Sequence, residues 1–450
     1  MKVITYGTFD LFHEGHYNIL KRAKELGDYL IVGVTSENFD KSRGKLNVKQ
    51  SLVERIENIK KSGFADEIIV EEYTGQKIED IKKYKVDKFA IGSDWVGKFD
   101  YLNEYCEVVY LDRTKGISST QLRNDKMGIL NIGCVGSGRI ARRMIKESKY
   151  VSGINFNIVY GRNINNIKRF AEENELEKFT TNYDEFLENV DAVYIATPHP
   201  THYEFAKKAL LEKKHVLCEK PITLNENQTK ELYKLAKENN VVLYEALKTA
   251  YVPGFQRLIM LTKSGIIGKI TDVDATFTKL EHDKTIREYD LNQGGGSLNE
   301  LISYPLIAIF KLLGTDYKDI SFYSSFDEET GVDTYTKLLL QYNHAIATAN
   351  VGLGVKKEGE LVIAGTKGYV YVPAPWWKTE YFEIRFENQN LNEKYFFKFD
   401  GDGLRYELVE FYNSIVNDDA NINLTEEESI EISKILGLFT SDDSKLNKLK

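Results

Sequence analysis

Two sets of residues in the 450-residue sequence have the types and spacing to do chemistry. The first is the run Gly7-Thr8-Phe9-Asp10-Leu11-Phe12-His13-Glu14-Gly15-His16. It follows a short apolar stretch at 2–6 and precedes a helical pattern over 17–26 with Ile19, Leu20 and Ala23 on one face. A strand, a tight turn and a helix start present free backbone N–H groups and the positive end of a helix dipole to an anion. His13 and His16, three residues apart, fall on one side of the first turn. Both can donate hydrogen bonds to a triphosphate and stabilise charge that builds on phosphorus oxygens during attack. The second set begins at Gly136-Ser137-Gly138-Arg139-Ile140-Ala141, between a predicted strand at 128–135 and a predicted helix at 142–148. In that context Gly-x-Gly-x-x-Ala is a dinucleotide-binding turn. Gly136 allows the turn, Gly138 lets backbone approach a pyrophosphate, and Ala141 lets helix and strand pack. The next strand, 156–160, ends in Gly161-Arg162-Asn163. No carboxylate there is placed to bind a ribose 2′-hydroxyl, and Arg162 either meets a 2′-phosphate or is a surface residue stacked over an adenine, so NADPH is preferred and NADH is possible.

Downstream of the first run lie Gly92-Ser93-Asp94-Trp95-Val96-Gly97-Lys98-Phe99-Asp100 and Arg113-Thr114-Lys115-Gly116-Ile117-Ser118-Ser119-Thr120. In this order the three runs resemble the glycerol-3-phosphate cytidylyltransferases, within the nucleotidyltransferase superfamily that carries His-x-Gly-His, over about residues 1–125. The resemblance implies attack by a substrate phosphate oxygen on the α-phosphorus of CTP with release of pyrophosphate. No covalent intermediate is needed, so positioning and charge stabilisation do most of the work. It implies His13, His16 and Arg113 as catalytic residues. It implies Gly7, Thr8, Phe9, Lys45, Arg55, Asp94, Ser118, Ser119 and Thr120 as CTP contacts. Lys45 belongs to a basic loop that either closes over phosphates or is solvated, and a guanidinium such as Arg55 or Arg113 suits phosphate through its planar fork of donors. Trp95 falls near the acceptor; Asp10 either orients the acceptor or is a turn residue. Mg²⁺ is expected on the phosphates without a dedicated protein cage. Related enzymes transfer AMP, but the runs at 92–95 and 113–120 favour CMP.

In the second half, Ala196-Thr197-Pro198-His199-Pro200-Thr201-His202 and Glu219-Lys220-Pro221 follow the glycine turn at the order and spacing of a second family. They resemble the large dehydrogenase family that includes glucose–fructose oxidoreductase and dimeric dihydrodiol dehydrogenase, over roughly 128–440. By this resemblance Gly136, Ser137, Gly138, Arg139, Ile140, Arg162, Thr197, Pro198, His202, Glu219 and Lys220 contact the cofactor. Lys220 also polarises a ketone or relays a proton. The run Gly294-Gly295-Gly296-Ser297-Leu298-Asn299-Glu300-Leu301-Ile302-Ser303-Tyr304 matches the family's glycine-rich helix start. Tyr304 is the candidate proton donor to the alkoxide, worth about 10²–10⁴-fold. Glu300 is a further candidate catalytic residue and stands where the family usually has Asp. A homo-oligomer, dimer or higher, formed through an open sheet is also implied.

The elements that must position these residues follow from periodicity. Strand and helix alternate through residue 111, and again from 128 to 246, so both stretches call for parallel sheets with ligands beyond the C-terminal strand ends. From 269 onward apolar and polar residues alternate, as in an open antiparallel sheet. The expected fold class is α/β: a Rossmann-like nucleotidyltransferase domain (1–125) fused to a two-lobe oxidoreductase. Its lobes are a dinucleotide-binding Rossmann domain (127–248) and an α+β domain with a largely antiparallel sheet (249–441), followed by a frayed tail (442–450). Thr425 and Glu428 form a capping box opening a helix to 436. The composition, 42% apolar and 28% charged, is that of a globular protein, and the net charge of −8 argues against a general nucleic-acid binder. Cys106, Cys134 and Cys218 are too few and too scattered for a disulfide framework or zinc site. With no leader and no membrane-length apolar run, a cytoplasmic enzyme without a membrane partner is expected. Taken together, these features lead to a bifunctional enzyme that joins a sugar or polyol phosphate to CMP and reduces a ketose phosphate or CDP-ketose, giving a CDP-alditol for capsule or wall polymers. The alternatives are a transferase carrying a non-catalytic Rossmann sensing or dimerising module, and an adenylyltransferase.

Overall fold

The computed structural model describes residues 1–10, 12–42, 48, 50–73, 75–111, 129–417 and 421–449. The chain divides into two compact units, Met1–Ile129 with Tyr150–Asn155, and Leu130–Lys149 with Phe156–Lys450.

The N-terminal unit is built on β1 (Lys2–Gly7), β2 (Tyr29–Thr35), β3 (Glu67–Glu71), β4 (Lys88–Gly92) and β5 (Glu107–Leu111). They pair in parallel in the order β3-β2-β1-β4-β5. The helices are α1 (Glu14–Glu25), α2 (Glu37–Ser42), α3 (Leu52–Ser62) and α4 (Gln76–Tyr84). Successive residues of β1 point to opposite faces. Val3 joins Leu20, Val32 and Ile59 in one core, and Ile4 joins Ile31, Ile81 and Phe89 in the other. The sheet grows outward from β1 in one direction through β3 and in the other through β5. The strand order therefore switches between β1 and β4, and Gly7 and Gly92 end these strands on the same edge, where ligands bind in such sheets.

The C-terminal unit repeats this logic with β6 (Leu130–Val135), β7 (Ile154–Tyr160), β8 (Lys178–Thr180), β9 (Ala192–Ile195), β10 (His215–Glu219) and β11 (Leu243–Ala246), in the order β11-β10-β9-β6-β7-β8. Here the switch lies between β6 and β9. Helix α5 (Arg139–Ser148) buries Ala141, Met144 and Ile145 against this sheet's side of the unit, and α6 (Ile164–Glu173), α7 (Tyr183–Glu188), α8 (His202–Leu211) and α9 (Glu226–Glu238) complete the layer. A second sheet of nine strands follows: β12 (Ile270–Thr278), β13 (Asp319–Phe326), β14 (Asp333–Gln341), β15 (Ile346–Gly352), β16 (Leu361–Gly365), β17 (Gly368–Val372), β18 (Tyr381–Phe386), β19 (Glu393–Phe396) and β20 (Leu446–Lys448). Its order is β19-β18-β17-β16-β12-β15-β14-β13-β20, antiparallel except for the β12–β15 and β13–β20 pairs. Helices α10 (Pro253–Lys263), α11 (Ser297–Leu301), α12 (Ser303–Leu313), α13 (Leu404–Asn417) and α14 (Glu426–Ser441) belong to this half. The alternation is visible in β14, where Thr336, Leu338 and Leu340 are buried and Tyr335, Lys337 and Leu339 between them are half-buried. Among the described residues no helix is long and apolar enough to cross a membrane.

The tail departs from expectation. Its polar composition predicts fraying, yet Leu446–Lys448 pairs in parallel with Phe322–Ser324 as the ninth strand. Backbone hydrogen bonds from Phe322 N to Lys445 O (2.8 Å) and from Leu449 N to Ser324 O (2.8 Å) hold it, and Lys445 pairs with Asp319 at 2.6 Å. Main-chain pairing is indifferent to side-chain polarity, and the added strand satisfies an edge that β13 would otherwise expose. The capping box at Thr425 and Glu428 is formed, and its helix runs on to Ser441.

Within the C-terminal unit, α13 is tied to α5 by a bidentate ion pair, Arg405 Nε and Nη2 to Glu147 at 2.8 and 2.9 Å, with both side chains buried. Removing one member of a buried pair leaves an uncompensated charge. Arg405→Met should therefore lower the stability of this unit by about 3–5 kcal/mol in urea titrations, and Glu147→Gln combined with Arg405→Met should cost less than Arg405→Met alone.

Candidate functional site

At the β1–β4 crevice the backbone turns sharply. Phe9 has φ +53°, a left-handed conformation that costs energy for an aromatic residue and persists only where its surroundings enforce it. His13 is the N-cap of α1: its Nδ1 accepts from Gly15 N at 3.0 Å, which assigns the ring proton to Nε2. A side chain at Gly15 would put its Cβ 2.9 Å from the His13 ring. His16, one turn on, stacks against His13 with centroids 3.9 Å apart, and Phe9 and Phe12 flank it at 5.5 and 5.7 Å. The two imidazoles expected to act together are thus brought together at a helix N-terminus.

Arg55 is fully buried, 0% exposed, on the inner face of α3. Its Nη1 donates to the carbonyls of Thr8 (2.8 Å) and Thr35 (2.9 Å) and pairs with Asp40 at 3.2 Å, and its Nε donates to Gln50 O. The ends of β1 and β2 thus supply acceptors for Nη1, while Nη2 is buried without a hydrogen-bond partner among the described residues. Asp40, which sequence reasoning missed, also accepts from the hydroxyls of Thr8 (3.0 Å) and Thr35 (2.7 Å). Arg55 and Asp40 therefore fix the Thr8-Phe9 turn from behind. Asp10 accepts from Gln50 N at 2.9 Å, tying the same turn to the start of α3, where Ser51 and Glu54 form a capping box. Trp95, 39% exposed, follows β4 and carries the Lys98 ammonium 4.9 Å from its ring centre. Lys45, Arg113, Ser118, Ser119 and Thr120, and the side chain of Asp94, lie outside the described residues.

In the C-terminal unit, a cavity of about 1100 Å³ opens at the β6–β9 switch. Gly136, φ +103°, ends β6; a Cβ there would lie 2.6 Å from the Ala196 carbonyl oxygen. A Cβ on Gly138, the N-cap of α5, would meet nothing within 4 Å, so the helix start is open to an approaching group. Ser137, Ile140, Thr197 and Pro198 share this wall. Arg139 and Arg162 line the cavity, are exposed, and have no ion-pair partner among the described residues. The walls thus fit a dinucleotide: a tight turn, an open helix start and two uncommitted guanidiniums.

Deeper in the cavity, Lys220 Nζ donates to the backbone carbonyl of Glu300 at 2.9 Å and lies 6.0 Å from the Tyr304 ring centre. Glu300, 7% exposed, carries the central negative charge. Its carboxylate lies 2.7 Å from Arg287 Nη1, 3.7 Å from His199 Nε2 and 3.8 Å from Lys220 Nζ. Burial opposes ionisation, but the positive charges of Lys220 and Arg287 outweigh it and hold Glu300 down at about 2. Burial drives His199 well below its ordinary value, so the ring is neutral, and its Nδ1 faces the Gly294 carbonyl at 3.2 Å. Burial and the nearby carboxylates Glu219, Glu407 and Glu300 push the Tyr304 phenol far up, so it keeps its proton until a strong base such as an alkoxide takes it. Glu219 accepts from the Tyr194 hydroxyl at 2.6 Å. Phe277 and Trp377 stack at 3.7 Å to form an aromatic wall.

His202 also lines the cavity. Its ring is fully buried, with Nδ1 2.9 Å from the Pro221 carbonyl and Nε2 2.8 Å from the Thr197 carbonyl. Burial keeps the ring neutral, so its single N–H donates to one of these two carbonyls. Sequence reasoning also missed Asp333. This buried carboxylate accepts from Leu298 N (2.9 Å) and the hydroxyls of Ser297 and Thr336, and so caps the helix that carries Glu300. Gly296, φ +111°, must lack a side chain because Asp333 occupies the space. Arg287 and His199 gave no signal beyond residue type; the distant contacts that recruit them are tertiary.

Two tests follow from this geometry. Asp40→Ala strands the Arg55 charge and should destabilise the N-terminal unit by about 3–5 kcal/mol in urea, with the loss of pyrophosphate release tracking the unfolded fraction. Glu300 has a folded value below that of an unfolded glutamate. Its stabilising contribution is therefore complete above about pH 4.5 and is lost as pH falls toward about 2. Urea midpoints measured between pH 2 and 6 should fall less steeply in Glu300→Gln than in the wild type.

Similarity to known proteins follows the same division. The cytidylyltransferase-like family model matches residues 4–125. The model of the oxidoreductase family with an NAD-binding Rossmann fold matches 130–247, and that of the GFO/IDH/MocA C-terminal domain matches 255–371. Glycerol-3-phosphate cytidylyltransferase of Bacillus spizizenii is 52% identical over 129 residues, covering 28% of this chain and 95% of that protein. Trans-1,2-dihydrobenzene-1,2-diol dehydrogenase of Mus musculus is 30% identical over 228 residues, covering 49% of this chain and 67% of that protein. Among solved structures, a 3-ketoreductase from Actinomadura kijaniata in complex with NADP and TDP-benzene has a TM-score of 0.64 at 22% identity, covering 71% of this chain and 98% of that one. The chain belongs to the cytidylyltransferase-like family through its first 125 residues and to the GFO/IDH/MocA oxidoreductase family through residues 130–371.

Proposed function

We propose that the protein is a bifunctional enzyme that makes a CDP-activated polyol. The observation that carries this reading is one chain holding both the stacked His13–His16 pair at a helix start and the Lys220, Glu300 and Tyr304 group around one cavity. At the first site, His13 and His16 donate to the triphosphate of CTP while a sugar or polyol phosphate oxygen attacks the α-phosphorus and pyrophosphate leaves. Mg²⁺ accompanies the nucleotide. At the second, Gly136, Gly138, Arg139 and Arg162 hold NADPH, whose nicotinamide supplies a hydride to the carbonyl carbon when bound. Lys220 stabilises the developing oxyanion and Tyr304 gives it a proton. The substrate is a ketose phosphate, reduced before CMP transfer, or the CDP-ketose, reduced after it. The product serves as a donor for capsule or wall polymers, made in the cytoplasm by a homo-oligomer. The partly exposed face of the nine-stranded sheet, with Tyr323, Ile346 and Tyr369, is the surface for self-association.

The test is incubation with CTP, Mg²⁺ and a panel of ketose and alditol phosphates, with and without NADPH, followed by mass spectrometry of the products. A CDP-alditol is expected, and its precursor gives the order of steps. His16→Ala should abolish pyrophosphate release while NADPH binding persists, and Lys220→Ala should abolish NADPH consumption while pyrophosphate release persists. Unchanged NADPH consumption in Lys220→Ala would refute the reductase site. Pyrophosphate release with ATP but not CTP would make the first site an adenylyltransferase.

A further inference from the structure

The side chain at position 300 is one methylene longer than the aspartate the resemblance leads one to expect, and its carboxylate lies with Arg287. Lys220 meets the Glu300 backbone carbonyl at 2.9 Å, while the carboxylate is 3.8 Å away. Arg287 Nη1 is 2.7 Å from that carboxylate, and His199 Nε2 is 3.7 Å from it. Arg287 begins the short 3₁₀ turn Arg287–Tyr289 and lines the cavity with Lys220 and Tyr304. The turn is fixed by the glycines that start α11: Gly296 N donates to Glu288 O at 2.9 Å, and a Cβ on Gly295 would lie 2.6 Å from the same oxygen. The guanidinium and the carboxylate are therefore set by one piece of backbone.

The arrangement divides the charges. His199 is neutral, so the two cations facing Glu300 are Arg287, in contact, and Lys220, one step further off. An ammonium bonded to a neutral carbonyl keeps more of its field for a third group than one closed into an ion pair. We propose that Arg287 is a positioning residue of the reductase site: by taking up the Glu300 carboxylate, it leaves the charge of Lys220 available to the substrate's carbonyl oxygen. This rests on reading the C-terminal unit as a ketone reductase. Without Arg287, the carboxylate would turn to Lys220 and neutralise it.

The test uses the full chain with Arg287→Met and Arg287→Lys, each also in a Glu300→Gln background, on the ketose phosphate panel and the corresponding CMP conjugates. Arg287→Met should lower kcat for NADPH-dependent reduction about tenfold with NADPH affinity unchanged, and Arg287→Lys should restore part of it. In Glu300→Gln, which has no carboxylate to turn, the same substitution should change kcat less than about twofold. The acid limb of the stability profile should move up by about one pH unit in Arg287→Met, because an opposite charge at this distance lowers a carboxyl by about 1–3 units. Wild-type kcat and an unmoved acid limb in Arg287→Met, or an equal loss in the Glu300→Gln background, would overturn the proposal alone. Absence of NADPH-dependent reduction by the wild-type enzyme would overturn the reading on which it rests.

Discussion

A carboxylate can be buried only if nearby charges and donors repay its lost hydration. Glu300 meets that condition through Arg287 and Lys220, drawn from two separate stretches of the C-terminal unit. Much of the cavity's architecture exists to deliver them. The start of α11 is capped by Asp333, the Arg287 turn is locked by Gly295 and Gly296, and the Lys220 segment is braced by His202 through the Pro221 carbonyl. Each support is polar and buried, so each has its partners in the fold.

The N-terminal unit meets the same requirement with the signs reversed. Its buried charge is Arg55, and the acceptors are the carbonyls at the ends of β1 and β2, with Asp40 as counter-ion. The groups that would touch ligand, His13, His16 and the Thr8-Phe9 backbone, lie in front of that layer. In this unit a charged pair behind the ends of β1 and β2 fixes the Thr8-Phe9 turn. The division is consistent with phosphoryl transfer, in which positioning rather than covalent participation lowers the barrier.

The glycine turn, the histidine pair, Lys220 and the alternation of strands and helices were legible in the sequence, because each depends on residues close together along the chain. Gly136 needs a left-handed backbone, and His13 and His16 share a helical turn, whatever the rest of the molecule does. Residue type and spacing say that a guanidinium or an imidazole is near a site, but not how deeply it is buried or what it touches. The fold decided that: Arg55 is 0% exposed beneath the Thr8-Phe9 turn, and the buried His202 ring lies between the Pro221 and Thr197 carbonyls. The polar tail was misread because strand pairing at an edge is a main-chain interaction, which composition does not report.

The sequence by itself determined the two-part organisation, the family of each part, the alternation that makes parallel sheets, and the local chemistry of the two motif sets. It did so because local periodicity and short-range spacing carry that information. Only the tertiary structure decided that Asp40, Asp333, His199 and Arg287 belong to the sites, and that Glu300 gives its carboxylate to Arg287 and its carbonyl to Lys220. Those assignments depend on distances such as Arg287 to Glu300, 13 positions apart, and His199 to Glu300, 101 apart, and no local pattern encodes a distance of that kind.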